Sequence, residues 1–261
     1  MRMRTSYVAF EAAPGLTVAG KLSTPLDGAQ APAVLICHGS DGVDGRGEFH
    51  ARALHEAGIV TLEIDMWAAR GTQRGAAGRP RSPQETLDDA FAALKFLRAQ
   101  PEIDPARIGI MGFSWGGVVT LLSAVRANAE PRLDGQPGFA AHAAFYPVCW
   151  AYDRAPGLEL TGLTGAPILI QTGDADAYDP PGAAQALVER LQARGEAPVR
   201  GVSHQGATHG FDRDLAAQTI NDPFAHAGKG GPVLMEFHPQ AAAAARAEMV
   251  AFFNGAFGRP A

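Results

Sequence analysis

The sequence predicts an α/β fold: a mostly parallel central sheet of about eight strands, flanked by helices on both faces. Three observations predict it. Short, continuously apolar runs recur along the chain, as strands covered on both faces require. Amphipathic helical patterns separate them, the alternation of a doubly wound sheet. No linker-like stretch and no internal repeat breaks that alternation, so residues 1–261 read as one domain.

Residues 7–10 and 18–23 flank the turn signal Pro14-Gly15 and predict an antiparallel hairpin within about residues 5–25. Strands follow at 34–37, 60–63, 108–113, 140–146, 168–172 and 199–202. The first helix is expected over 49–58. Ser82-Pro83-Gln84-Glu85 is a capping box with Pro at the first helical position. Leu87, Phe91, Leu94 and Leu97 then share one apolar face, and Val118, Leu121, Leu122 and Val125 repeat the spacing in the next helix. Asp179-Pro180 opens another, with Asp179 as its cap, Leu187 and Leu191 inward and Gly195 as its stop. Residues 241–253 form the last. Two stretches, 70–83 and 212–238, read as long irregular loops bordering the functional face, where loops of that length usually carry function.

Composition narrows the class. Apolar residues make up 46% and charged residues 19%, a globular balance. A formal net charge of −5 speaks against a nucleic-acid partner, which needs a basic surface to displace counterions. No apolar run reaches the roughly 18–20 residues that span a bilayer, so no membrane partner is expected. Met1-Arg2-Met3-Arg4 is followed by Thr5-Ser6 and Glu11 rather than a secretory apolar stretch, so a cytoplasmic location is expected. The two cysteines, Cys37 and Cys149, have neither zinc-ligand spacing nor a disulfide framework. The chain lacks both G-x-G-x-x-G after its first strand and G-x-x-x-x-G-K-[ST], so nucleotide binding is not expected, and nothing in the sequence implies a metal or organic cofactor. Nothing in the sequence fixes the oligomeric state.

The most informative segment is Gly112-Phe113-Ser114-Trp115-Gly116-Gly117. It places G-x-S-x-G between an apolar strand and an apolar helix, the setting of a nucleophilic serine on a sharp turn. The glycines let the turn close, and the helix N-terminus behind the hydroxyl favours developing negative charge. A serine needs a base, and the base an orienting acid, in the chain order Ser, Asp or Glu, His. His209, in Thr208-His209-Gly210-Phe211 just past a strand end, is the base. Asp174 and Asp176 both follow the preceding strand, and spacing alone does not choose between them. The other histidines read as packing, surface or loop residues: His50 and His55 on the first helix, His142 in a strand, His204 at a strand end, His226 and His238 in loops. One oxyanion donor is the backbone N–H of Trp115, directly after the serine.

The chain resembles the dienelactone hydrolase family of the α/β-hydrolase superfamily over nearly all of residues 30–255. The resemblance rests on His38-Gly39, the Ser114 turn, Phe145-Tyr146-Pro147, Gly173-x-x-Asp176-x-x-x-Pro180 and His209-Gly210-Phe211. It implies the α/β-hydrolase fold and Asp176 as the acid. It points to the Ser40 N–H as second oxyanion donor, with His38 shaping that loop. It also implies that an arginine four residues after the base, here Arg213, helps hold a substrate carboxylate. Arg70, in Trp67-Ala68-Ala69-Arg70-Gly71, is a further candidate to face the pocket, and a solvated surface charge is the alternative for both. Two departures stand out. The founding members carry cysteine where this chain has Ser114, and a glutamate near the oxyanion loop where it has Gly39. These favour a broader carboxylic-ester hydrolase over a specialist for dienelactone. Cys149 lies outside the turn and is no substitute nucleophile.

The expected function is therefore hydrolysis of a small-molecule ester or lactone through an acyl-enzyme, with Ser114, His209 and Asp176 as triad. A non-catalytic binding module on the same fold is the alternative from another class. Acyl transfer, thioester cleavage and peptide cleavage share the same machinery.

Overall fold

In the computed structural model, residues 3–26, 28–72, 75 and 78–259 are described. The apolar runs become β1 (Met3–Ala13), β2 (Leu16–Pro25), β3 (Ala31–Cys37), β4 (Val60–Asp65), β5 (Ile103–Phe113), β6 (His142–Phe145), β7 (Ile168–Gly173) and β8 (Val199–His204). They form one eight-stranded sheet in the order β1-β2-β4-β3-β5-β6-β7-β8. β2 runs antiparallel to both β1 and β4, and all other neighbours are parallel.

All seven residues of β3 are buried, because helices cover both faces. The period-2 alternation then divides the core. Ala33, Leu35 and Cys37 pack beneath α2 (Leu87–Arg98) and α3 (Trp115–Ser123), on the face where α5 (Ala183–Arg194) covers β7 and β8. Val34 and Ile36 face the other way, toward α1 (Gly45–Glu56) and the C-terminal α7 (Pro239–Ala256). Each fully buried Leu or Ile contributes about 1.5–3 kcal/mol relative to exposure. Among the described residues no helix is long and apolar enough to cross a membrane.

Local signals explain most helix ends. The Ser82 hydroxyl accepts the Gln84 N–H while Glu85 accepts the Ser82 N–H, and the 3-10 turn Pro83–Thr86 leads into α2. Gly195 takes a φ of 67° at the end of α5. Several boundaries differ from expectation. α1 begins at Gly45 rather than near residue 49, because the Asp44 side chain caps it by accepting the Arg46 N–H. α3 stops at Ser123; Val125 turns extended to bridge Leu163, and α4 (Arg126–Leu133) starts afresh. α5 starts at Ala183 after a left-handed Gly182, and Asp179 does not cap it. The stretch 212–238 is not irregular throughout. It holds β9 (Gln218–Asp222) and β10 (Gly231–Met235), an antiparallel ribbon joined through the single turn α6 (Ala225–Gly228). Arg74, in the arginine-rich stretch, lies outside the described residues.

Candidate active site

β5 ends at Phe113 and α3 begins at Trp115, so Ser114 alone must turn the chain. Its φ of 51° and ψ of −111° are costly for a residue with a side chain. The turn closes because the residues two positions away on either side, Gly112 and Gly116, have none. A Cβ on Gly112 would stand 2.2 Å from the Gly116 carbonyl oxygen, and one on Gly116 would stand 2.1 Å from that of Cys37. Both obstacles are backbone and cannot swing aside, so the spacing of this motif is a packing requirement.

The loop after β8 brings His209 Nε2 to 2.9 Å from Ser114 Oγ. The loop after β7 brings Asp176 Oδ2 to 2.7 Å from His209 Nδ1. Gly173 lets the two loops meet, since a Cβ there would lie 1.9 Å from the Ala207 carbonyl oxygen. Asp176 is buried and its Oδ1 accepts the Tyr178 N–H at 2.9 Å, which fixes the carboxylate plane. Asp174 is exposed and accepts the Gly206 N–H instead. His204 is turned toward Gln171, at 3.0 Å. The His209 ring is held between Tyr178 and Tyr146, with ring centroids 4.2 and 4.7 Å away.

Trp115 occupies the first position of α3, where helices leave backbone N–H groups without an intrahelical acceptor. Ser40 faces the same cleft from the loop after β3. His38 shapes that loop: its Nδ1–H donates to the Gly39 carbonyl at 2.8 Å and its Nε2 accepts the Met66 N–H at 2.9 Å.

Two limbs of the cleft meet at Ser40, Ser114 and Tyr178. The larger, about 550 Å³, is walled by Trp115, Val118, Pro147, Val148, Tyr152 and Leu158. The smaller, about 350 Å³, is polar, with Asp41, Arg46, His209 and Asp222 among its walls. Asp179, expected as a helix cap, instead accepts the Cys149 and Trp150 N–H groups at 2.9 and 2.7 Å, pinning the loop under the apolar limb. Burial, and the Asp176 charge next to it, push its carboxyl up to about 6. Cys149 is buried beside it, and burial and the Asp179 charge raise its thiol well above the ordinary range.

Neither arginine singled out by the sequence reaches this cleft. Arg70 forks onto buried Asp89 at 2.6 and 2.9 Å and donates to the Met66 and Glu85 carbonyls. Arg213 pairs with Asp41 at 2.9 Å and lies 3.5 Å from Asp44. A buried carboxylate such as Asp89 demands a cation, which spends Arg70, and Arg213 is engaged by the partly buried Asp41 and Asp44. Arg79 and Arg81, from the same 70–83 stretch, line the cleft instead.

A buried network behind His209 has no trace in local sequence. His50, expected as packing or surface, is fully buried with Nε2 at 2.8 Å from Asp212 Oδ2. The Tyr146 hydroxyl donates to Asp212 Oδ1 at 2.5 Å and accepts from Arg46 Nη1 at 3.2 Å. Burial opposes ionisation of Asp212, but the hydrogen bond and charge of His50, the Arg46 charge and the Tyr146 hydroxyl hold its carboxyl below the usual value. That depressed value makes its contribution present at neutral pH and lost as pH falls through the acid range. Asp212→Ala strands two buried partners, the His50 imidazole and the Tyr146 hydroxyl, and will cost about 3–5 kcal/mol. Thermal melts at neutral pH will show a midpoint lower by about 10 °C, and a drop under about 2 °C would remove the network from the stability account.

Comparison with known proteins agrees with this architecture. The model of the dienelactone hydrolase family matches residues 18–257. The chain belongs to the dienelactone hydrolase family. An uncharacterized protein of Mycobacterium tuberculosis is 31% identical over 226 residues, 82% of this chain and 76% of the relative. A probable 2-oxo-3-(5-oxofuran-2-ylidene)propanoate lactonase of a Bradyrhizobium species is 26% identical over 216 residues, 76% of this chain and 83% of its own. The crystal structure of a dienelactone hydrolase-like promiscuous phosphotriesterase from metagenomic libraries shares the fold. Its TM-score is 0.72 at 21% identity, over 97% of this chain and 98% of the other. The chain is thus a hydrolase of this family with the α/β-hydrolase fold. Within that frame the Gly39 departure has a physical counterpart: a Cβ there would lie 3.2 Å from the Phe113 carbonyl and 3.3 Å from Arg46 Nη2. The Arg46 guanidinium occupies the space beside the loop that follows β3.

Proposed function

We propose that this chain is a serine hydrolase that cleaves a small carboxylic ester or lactone through an acyl-enzyme. The observation that carries the reading is the unbroken hydrogen-bonded chain from Ser114 Oγ through His209 to Asp176, opening at the junction of the two limbs. Ser114 attacks the acyl carbon while His209 Nε2 takes its proton. Asp176 holds the Nδ1–H tautomer and stabilises the imidazolium. The tetrahedral oxyanion is received by the Trp115 and Ser40 N–H groups at the positive end of α3. His209 returns the proton to the leaving alkoxide, and water attacks the acyl-enzyme by the same route in reverse. The apolar limb suits the hydrocarbon part of the substrate and the polar limb its oxygenated part. The lactonase relative supports ester chemistry, because a lactone is an ester that keeps its leaving group tethered.

Incubation with a fluorophosphonate probe, then mass mapping of the labelled peptide, tests this. The expected product carries the phosphonyl group on Ser114, and Ser114→Ala abolishes labelling. A native chain that neither labels nor turns over any aryl ester would leave a binding module in place of an enzyme.

A further inference from the structure

We infer that Arg79 is a positioning residue for the oxyanion hole, latched to the β9–β10 ribbon by Asp222. The inference rests on the hydrolase reading above and adds a residue to it. Arg79 donates Nη1 to Asp222 Oδ2 at 2.8 Å and Nη2 to Asp222 Oδ1 at 2.9 Å. Nη1 also reaches the Ser40 hydroxyl at 3.2 Å. The guanidinium lies 5.9 Å from the Trp115 ring and 4.9 Å from that of Phe224. It therefore hydrogen-bonds the side chain of one, and lies over the ring of the other, of the two residues whose backbone N–H groups would receive the oxyanion.

Ser40 has no regular secondary structure to hold it. Its carbonyl accepts the Trp67 indole N–H at 3.0 Å and the Gly75 N–H at 2.9 Å, while its hydroxyl takes Arg79. All three donors come from the segment after β4, so that segment sets where the Ser40 N–H points. Arg79 is the one of them with an anchor on the far side of the cleft. Asp222, almost fully buried, ends β9 and also accepts the Phe224 N–H at 2.8 Å. Burial opposes its ionisation, yet the Arg79 and Phe224 hydrogen bonds keep its carboxyl below the ordinary value. Both terminal nitrogens of Arg79 are engaged with Asp222, so its fork supports the wall and does not take a substrate carboxylate. A lysine places one point charge there and cannot serve Asp222 bidentately while reaching Ser40.

The test measures steady-state hydrolysis of a short aryl ester and the rate of fluorophosphonate labelling, in the native chain and in Arg79→Met, Arg79→Lys, Asp222→Asn and the Arg79→Met/Asp222→Asn double variant. Arg79→Met is expected to lower kcat about 10–100-fold, below the loss from removing an oxyanion donor outright, with KM little changed. Labelling slows in step, and Arg79→Lys falls between. The double variant is no slower than the worse single variant, since both break one latch. Added ethylguanidinium, below denaturing concentration, restores part of the kcat of Arg79→Ala, which leaves the room it needs, but not that of Asp222→Asn. Unchanged kcat and labelling, a loss confined to KM, or single effects that multiply in the double variant would each overturn the inference. If Arg79→Met fails to fold, Arg79→Lys decides, and parental kcat in that variant overturns the inference. A native chain inert in both assays defeats the hydrolase reading itself, whereas an active native chain beside an equally active Arg79→Met defeats the latch alone.

Discussion

Replacing Ser114 with alanine will abolish turnover of short aryl esters, with kcat down by about a million-fold, and will leave the thermal midpoint close to that of the parent. The size follows from how a nucleophile and its base act as one unit: losing the serine costs about as much as losing the whole triad. The unchanged stability follows from the site. Ser114 is only partly buried, and among the described residues its hydroxyl hydrogen-bonds only His209. The unusual φ of 51° is imposed by Gly112, Gly116 and the Phe145 carbonyl that accepts the Ser114 N–H, and alanine inherits it without new clashes. Stopped assays on the purified variant, with a melt beside them, check both halves. Near-parental hydrolysis would move the chemistry away from this turn. A large fall in midpoint would mean that the hydroxyl supports the fold.

What the sequence makes legible follows from which physical constraints are local. β3 is legible because burial on both faces demands an unbroken apolar run, and the Ser114 turn because backbone contact forbids side chains at Gly112 and Gly116. The end of α3 is not, because Val125 keeps helical spacing and leaves the helix only to bridge Leu163, which is a tertiary event. The β9–β10 ribbon is hidden because Gln218–Asp222 is mostly exposed and pairs only with β10, so neither face imposes alternation. Charges are the least legible of all. The residues flanking Arg70, Arg79 and Arg213 do not announce their partners, which are Asp89, Asp222 and Asp41, brought in by folding. His50 finds Asp212 across 162 residues, a pairing no spacing rule contains.

The choice between Asp174 and Asp176, which spacing leaves open, gives the second large effect. Asp176→Asn will lower kcat by about ten-thousand-fold, and Asp174→Asn will change it little. Asp176 meets His209 Nδ1 at 2.7 Å inside a dry pocket, with its other oxygen fixed by the Tyr178 N–H. An amide placed there by the same backbone can turn its NH₂ toward Nδ1. The imidazole then carries its proton on Nε2, facing Ser114 as a donor when it must accept. An amide also lacks the charge that stabilises the imidazolium in the transition state. Asp174 sits two residues away in solvent, where its Oδ1 accepts the Gly206 N–H at 2.6 Å and supports the turn before His209. The asparagine carbonyl can accept that same N–H, so this substitution costs about 1 kcal/mol of stability or less and leaves the tautomer alone. Measuring kcat and fluorophosphonate labelling for both variants over pH 6–9 separates the roles. Matching losses, or a larger loss at Asp174, would transfer the orienting role away from Asp176 despite its contact with the ring.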